Sequence, residues 1–282
     1  MRLVNFRHHG RFEFGIERDG FVRSLASAGY GSDATFFADG DKALDAARNL
    51  AAQADAPQIP LRDVQLLAPV LRPGKILCVG LNYRDHAVES KMAIPEVPTI
   101  FLKLPNAVTG PDSDIILPRN STQPDYEAEF AAVIGRTGKN IRREDWRQHV
   151  LGYTILNDVS ARDVQLATSQ WTLGKSFDTF APIGPAIVTA DEIDDPHALD
   201  IQLSINGEVL QHSNTKHLIF KLPDLIAHLS SVITLKPGDI ISTGTPAGVG
   251  LGRSPQRWLK PGEEIVITIE RLGQLRNRTV AA

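Results

Sequence analysis

The chain has 282 residues, of which 42% are hydrophobic and 22% are charged, as in an average globular protein rather than a disordered or fibrous one. Thirty Lys and Arg residues against 33 Asp and Glu residues give a formal net charge of −3, which argues against a protein that binds nucleic acid through a basic face. The single cysteine excludes a disulfide framework within the chain.

The first part of the sequence predicts a small N-terminal α+β domain. Three short alternating runs, separated by turn-prone pairs, favour a β-meander and lie at 2–7, 12–17 and 21–25. A helical stretch follows at about 41–54, and the proline-spaced passage after it is typical of a linker. We therefore place the N-terminal domain at 1–70 and the main domain at 71–282.

The main domain is dominated by strand signals. They lie at 75–79, 98–103, 128–134, 151–157, 185–190, 200–205, 208–211, 239–243 and 264–270. The pair Asn206-Gly207 is the strongest hairpin signal, and two helices are credible at 142–149 and 223–231, the latter with Pro223 in its first turn. Many strands with few helices predict a β-rich α+β fold rather than a doubly wound parallel sheet.

The sequence also favours one cellular location for the protein. Its first residues lack the uninterrupted apolar stretch of a secretory signal, and no later stretch approaches the roughly 18 consecutive apolar residues of a membrane span. Cys78 lies in an apolar run, where we expect a small core residue rather than a reactive thiol. We expect a cytoplasmic protein without a membrane or nucleic-acid partner.

Three acidic residues form a candidate metal site. Glu127 and Glu129 project from the same face of a predicted strand, and such a pair is costly to bury unless a positive charge lies between the carboxylates. Asp158 follows the next strand, just before a short helix that Ser160 and Asp163 are spaced to cap. The alternatives are a solvent-facing edge strand for the glutamates and an ordinary turn aspartate for Asp158.

Three carboxylates without a neighbouring His or Cys suit a hard divalent cation, Mg²⁺ first and then Mn²⁺ or Ca²⁺. An octahedral ion on three protein ligands keeps three positions for water or a chelating substrate.

Two further segments carry candidate catalytic groups. If 83–91 is helical, His86 and Glu89 share a face, and the carboxylate can orient the imidazole as a general base. The alternative is an ordinary exposed pair on a helix. Lys175 lies in an aromatic, proline-rich loop at 174–182, where alone it would be taken for a surface lysine.

A glycine-rich stretch at 243–252 lacks both the Gly-Lys-Ser/Thr ending of a phosphate loop and the G-x-G-x-x-G spacing. We therefore exclude nucleotide binding there and expect a pocket wall formed by the backbone.

These segments, taken together and in this order, resemble the fumarylacetoacetate hydrolase family. The matching segments are Gly80–His86, Phe101–Lys103, Glu127–Glu129, Asn157–Gln165, Gly174–Thr179 and Thr243–Gly250. The resemblance covers about residues 70–272, and the N-terminal region resembles the small extra domain of the longer bacterial members.

The resemblance implies a mixed β-sandwich roll of the fumarylacetoacetate hydrolase C-terminal type, a homodimer, and one divalent metal in each active site. The implied metal ligands are Glu127, Glu129 and Asp158. The implied catalytic residues are His86 and Glu89, on a mobile lid, and Lys175. The implied substrate-binding positions are Lys103, Arg162, Gln165 and Thr245.

The activity implied is that of a metal-dependent hydrolase that cleaves a C–C bond of a 2,4-diketo acid, of the acylpyruvate, fumarylpyruvate or diketo-deoxy sugar acid type. The products are a 2-oxo acid such as pyruvate and a carboxylic acid. His86, backed by Glu89, would activate water, and Lys175 would help to stabilise the enolate. The same enolate arises in two alternatives, an oxaloacetate-type decarboxylase and a 2-hydroxy-diene-dioate isomerase. A non-enzyme alternative is a Ca²⁺-stabilised binding protein.

Overall fold

The computed structural model describes residues 1–89 and 93–282. Within them the strands are β1 (Arg2–His8), β2 (Arg11–Arg18), β3 (Phe21–Ser24), β4 (Ile59–Pro60), β5 (Gln65–Leu67), β6 (Ile76–Gly80), β7 (Thr99–Lys103), β8 (Val108–Thr109), β9 (Asp114–Leu117), β10 (Pro124–Asp125), β11 (Ala128–Ile134), β12 (Val150–Asn157), β13 (Ser160–Ala161), β14 (Ala181–Thr189), β15 (Asp200–Ile205), β16 (Glu208–Asn214), β17 (Ile240–Ser242), β18 (Glu264–Ile269) and β19 (Gly273–Ala281). The α-helices are α1 (Asp33–Asp39), α2 (Asp41–Ala52), α3 (Arg84–Glu89), α4 (Arg162–Gln165), α5 (Thr172–Lys175) and α6 (Leu222–Val232).

Two sheets dominate the molecule. The larger one has the strand order β4-β3-β2-β1-β14-β12-β11-β17-β6-β7, with β5 also pairing β1 and β8 also pairing β14. The smaller one has the order β16-β15-β18-β19-β9, and β10 pairs with β13 separately. Most neighbours are antiparallel, but three pairs are parallel: β17 with β6, β19 with β9, and β14 with β8. The predicted β-rich, mixed α+β fold is confirmed.

An interior strand of the large sheet is β11, whose seven residues are all buried and which pairs with β12 and β17. Its sequence is accordingly an almost continuous apolar run, as expected for a strand covered on both faces. The exception is Glu129, a carboxylate in the middle of the core. Burying that side chain is costly, which marks this end of β11 as the place to look for a site.

The N-terminal strands continue the large sheet. β1 pairs antiparallel with β14 through the partners Arg2 and Val188, and with β2 on its other edge. Leu3 and Phe14 belong to the same hydrophobic core as Ile183 in β14. The boundary near residue 70 stays a prediction, since the described residues on its two sides share both a sheet and a core.

The hairpin predicted at Asn206-Gly207 is confirmed: it joins β15 to β16, and both residues have the positive φ of a type I′ turn. The helix predicted at 223–231 is α6, which buries Leu225 and Leu229 along one face. The helix predicted at 142–149 is a 3₁₀ helix, Arg143–His149. None of the described helices is long and apolar enough to cross a membrane.

The capping box predicted from Ser160 and Asp163 is wrong. Ser160 belongs to β13, and its hydroxyl donates to the carbonyl oxygen of Asp158 at 2.8 Å. The Asp163 carboxylate accepts instead from the hydroxyl of Ser121 at 2.7 Å. The reason is that the strand pairing holds Ser160 two residues before the start of α4, too far back to act as its cap.

Candidate active site

Three buried carboxylates meet where β11 and β12 pair. Glu127 and Glu129 flank Ala128, the first residue of β11, and Asp158 follows the last residue of β12. The strand register places Ala128 opposite Asn157, which brings the two acidic ends together. One carboxylate oxygen from each acid lies within 4.8 Å of the others. The structure thus brings together the three residues that the sequence singled out as metal ligands.

Glu127 and Asp158 each have one carboxylate oxygen bound by a buried cationic side chain. Arg162 Nη2 donates to Glu127 Oε1 at 2.6 Å. Lys103 Nζ donates to Asp158 Oδ1 at 2.6 Å and to the carbonyl oxygen of Val159 at 3.0 Å. Each acid therefore keeps one oxygen fixed and turns the other toward its neighbours.

Glu129 is held by neutral donors. Its Oε2 accepts from the backbone amide of Gly244 at 3.0 Å and from the hydroxyl of Ser242. Burial, and then the negative charges of Asp158 and Glu127, raise the pKa of Glu129 to about 8. A cation next to Glu129 would offset the burial and the neighbouring negative charges, and would thereby stabilise the ionised carboxylate.

Lys175 lies between the other two acids. Its Nζ donates to Glu127 Oε2 at 2.5 Å and to Asp158 Oδ2 at 2.9 Å, and it lies 4.8 Å from the centre of the Phe101 ring. Burial alone would lower the pKa of Lys175, but the two carboxylates outweigh burial and raise it. The residue ends α5, so the loop predicted around it begins only after this short helix. Its side chain is 2% exposed, which excludes the surface-lysine interpretation.

Burial also raises the pKa of Glu127, yet the cations of Arg162 and Lys175 overcome burial and hold that pKa well below its usual range. Burial lowers the pKa of Lys103, more than its pairing with Asp158 raises it.

The three grouped acids offer only oxygen donors, with no nitrogen or sulfur ligand among them. Such a group suits a hard divalent cation such as Mg²⁺ or Mn²⁺.

The predicted catalytic pair forms on α3. His86 Nδ1 lies 3.1 Å from Glu89 Oε2, and Glu89 Oε1 accepts from the backbone amide of Gly248 at 3.0 Å. Burial tends to raise the pKa of Glu89, but its bonds to His86 and Gly248 lower it overall. An ionised Glu89 accepts a hydrogen bond from the Nδ1–H of His86 in the tautomer whose Nε2 carries no proton. Residues 90–92 of the predicted helix and lid lie outside the described residues.

The start of α3 is fixed by residues that the sequence analysis did not single out. Asp85 accepts from the hydroxyl of Ser213 at 2.7 Å and from the backbone amide of His86 at 2.8 Å. The side chain of Asn82 donates to the carbonyl oxygen of Thr243 at 2.8 Å. Both residues stand in the matching segment 80–86, so a signal was present, but only the fold shows what they touch.

Asp125 is a third residue that sequence reasoning missed. Its Oδ2 accepts from Arg162 Nε at 2.9 Å and its Oδ1 from the backbone amide of Gly250 at 2.7 Å. It therefore ties the glycine-rich stretch to the arginine that supports Glu127. The sequence did contain a clue, because Asp125, Glu127 and Glu129 are acidic residues spaced two positions apart.

One cavity of about 530 Å³ lies beside the acidic group: Glu127 and Glu129 line it, whereas Asp158 is fully buried and does not. Its polar lining comprises His86, Glu89, Glu127, Glu129, Arg162, Gln165, Lys175 and Thr245, and its apolar lining includes Leu81, Phe101, Leu166, Trp171, Val249 and Leu251. The glycine-rich stretch contributes Thr245, Val249, Leu251 and Gly252 to this lining, and a wall formed by its backbone stays a prediction. Arg162, Gln165 and Thr245 thus face the cavity as substrate contacts should.

Lys103 requires a correction. It was expected near the bound substrate, but it is 1% exposed, does not line the cavity, and uses its ammonium on Asp158 and Val159. The reason is the alternation of β7, which turns Lys103 inward behind the acids. Its place is that of a support for Asp158 rather than a substrate contact.

Comparison with known proteins agrees with this architecture. The family model described as "Fumarylacetoacetate (FAA) hydrolase C-terminal" matches residues 75–280. A rat protein described as a mitochondrial oxaloacetate tautomerase, Fahd2a, is 50% identical over 246 residues, which cover 87% of this chain and 78% of the rat chain.

Two solved structures cover the whole of this chain and are themselves covered completely. One is 5-carboxymethyl-2-hydroxymuconate delta-isomerase from Mycobacterium smegmatis, with a TM-score of 0.82 and 36% identity. The other is maleylpyruvate hydrolase from Sphingobium sp. SYK-6 in complex with manganese(II) and pyruvate, with a TM-score of 0.85 and 32% identity. The family thus contains hydrolases, isomerases and tautomerases. This chain belongs to the fumarylacetoacetate hydrolase family of enzymes.

Proposed function

We propose that the protein is a divalent-metal-dependent tautomerase that interconverts the keto and enol forms of oxaloacetate. One observation carries the proposal: His86 and two acids of the cation-binding group, Glu127 and Glu129, line the same cavity, as proton transfer next to a 2-oxo group requires. The 50% identity to the rat protein named for this activity supports the choice of substrate.

The metal would be Mg²⁺ or Mn²⁺, held by Glu127, Glu129 and Asp158. When bound, it supplies a Lewis acid that polarises the 2-oxo group and makes the neighbouring C3 proton more acidic. The manganese in the Sphingobium structure supports a metal of this class.

The chain's own residues would move the proton. The Nε2 of His86 takes the C3 proton and returns it to the C2 oxygen to give the enol, while Glu89 holds the ring in the tautomer that makes Nε2 the base. Lys175 places a positive charge beside the oxygen on which negative charge develops. The apolar wall of Leu81, Trp171 and Val249 limits the access of water to the enolate.

Hydrolysis of a 2,4-diketo acid is the second candidate. The His86–Glu89 pair favours it, because the same Nε2 can deprotonate a water molecule as well as a carbon acid. The Sphingobium hydrolase with bound pyruvate supports this option.

The two candidates differ in products. We would load the protein with Mg²⁺ and compare the rate of enol loss from oxaloacetate with the rate of pyruvate release from acylpyruvates and fumarylpyruvate. Tautomerisation at least about tenfold faster than every cleavage reaction is the expected result. Faster cleavage of a diketo acid would replace the tautomerase by the hydrolase.

A homodimer remains part of the proposal, and it rests on the family resemblance. Light scattering of the purified protein would measure the molar mass directly, and a monomer at all concentrations would contradict it.

A further inference from the structure

The outward oxygens of the acidic group are already occupied. Arg162 donates a hydrogen bond to Glu127 Oε1, and Lys103 donates one to Asp158 Oδ1. Glu129 Oε2 accepts from the Ser242 hydroxyl and the Gly244 backbone amide. Each carboxylate therefore has one oxygen left for a ligand in the centre of the group.

Lys175 uses two of these three inward oxygens. Its Nζ lies 2.5 Å from Glu127 Oε2 and 2.9 Å from Asp158 Oδ2. The ammonium is almost fully buried, and its third side faces the ring of Phe101. Lys175 thus neutralises two acids that would otherwise repel each other in a medium of low polarity.

A divalent cation held by the same three acids would need the same inward oxygens. An ammonium and a doubly charged ion on one pair of oxygens repel each other strongly in a buried site. Lys175 also lines the open cavity, so its flexible side chain has room on that side.

We propose that Lys175 is an exchangeable internal counter-ion: its ammonium bridges Glu127 and Asp158 while no metal is bound, and it moves to the cavity side when a divalent cation takes those oxygens. The site then receives its cation without first exposing unpaired acids, and the released ammonium meets the substrate. The inference rests on the metal centre of the proposed function but on none of its substrate chemistry.

The test compares Lys175→Met with Lys103→Met, using calorimetric titration with Mn²⁺. Both variants remove one buried positive charge that contacts Asp158, but only Lys175 holds an inward oxygen. We expect Lys175→Met to bind Mn²⁺ about tenfold more tightly than the wild type, because the competing cation is gone. We expect Lys103→Met to bind it about tenfold more weakly, because Asp158 loses its support.

Equal or weaker binding by Lys175→Met would overturn the exchange, and so would equal tightening in both variants, which would indicate a general charge effect. Crystal structures of the wild type with and without Mn²⁺ give a second measurement that needs no variant. Lys175 Nζ should leave both oxygens in the loaded form; if it stays within about 3.2 Å of both, the inference fails. Failure of the wild type to bind Mn²⁺ at all would contradict the metal centre itself and the exchange with it.

Discussion

At the scale of single residues, the site is a nearly balanced group of buried charges. The carboxylates are Asp125, Glu127, Glu129 and Asp158, and the cations are Lys103, Arg162 and Lys175. With every group ionised, one negative charge remains, so the group is receptive to a divalent cation and then to an anionic substrate. Removing one member leaves its partner charged and buried, which makes single substitutions informative.

Glu129 is the acid whose loss should affect metal binding most specifically, because its outward oxygen is held by neutral donors. We expect Glu129→Ala to bind Mn²⁺ more than about 100-fold more weakly in a calorimetric titration, a larger loss than that of a supporting residue. Glu208→Ala, an exposed acid on β16, is the matched control. Full metal occupancy in Glu129→Ala would remove this residue from the site.

Arg162 should matter more for stability than for metal binding. Its guanidinium pairs with both Asp125 and Glu127, and Arg162→Met would leave two buried carboxylates without that partner. We expect a loss of about 3 kcal/mol or more in the free energy of unfolding, measured by urea denaturation. The exposed Arg278→Met should change it by less than about 0.5 kcal/mol. Similar values for both variants would mean that the Arg162 pairs contribute little.

At the scale of elements, the sequence predicted the strands with a continuous apolar or clearly alternating pattern and missed those without one. β11 and β12 belong to the first group. β19 belongs to the second, because its inward positions include Asn277 and Thr279, whose side chains satisfy backbone groups of neighbouring loops. Such partners are distant in sequence, so the polar residues looked like loop residues.

The same reason limited the prediction of the site. The three acids and the His86–Glu89 pair could be named from their segments, whereas Lys175 alone looked like a surface lysine and was named only through the family resemblance. The support given by Lys103 could not, because β7 and Asp158 are brought together only by the strand order of the large sheet.

The beginning of α6 should make stability depend on pH. His197 Nε2 accepts from the backbone amide of Leu222, the first residue of α6, at 3.2 Å, which requires a neutral ring. Burial, and then the nearby Lys221, lower the pKa of His197 to about 4. Because the unfolded chain has a histidine pKa of about 6.5, it takes up the proton first, and stability falls as the pH falls from about 6.5 to 4.

Since His197 is partly reached by solvent, we expect this loss to be about 1–2 kcal/mol. His197→Gln should show a smaller decrease in the free energy of unfolding between pH 6.5 and pH 4.5 than the wild type. His212→Gln, an exposed histidine, serves as the control and should follow the wild type. Parallel pH profiles for all three proteins would contradict the assignment.

At the scale of the whole molecule, one sheet runs from the N-terminal strands to the strands that carry the site. β1 pairs with β14, β14 with β12, and β12 with β11, which leads to Glu129. A change in sequence character near residue 70 therefore does not correspond to a break in hydrogen bonding.

Because the core is also shared across that point, the two segments should unfold together. Scanning calorimetry of the full chain should give a single transition, with equal calorimetric and van't Hoff enthalpies. Two separable transitions, the smaller of them shifted by substitutions confined to residues 1–70, would show independent domains instead.

The most direct test of the catalytic proposal follows hydrogen exchange at C3 of oxaloacetate in D₂O by NMR, with the Mg²⁺-loaded wild type and with His86→Gln. The wild type should exchange the C3 protons rapidly while oxaloacetate remains intact. His86→Gln should lose about 100-fold or more in the exchange rate and still bind Mn²⁺ as the wild type does. Exchange at the wild-type rate in His86→Gln, or pyruvate appearing as fast as deuterium enters, would contradict a histidine-based tautomerase.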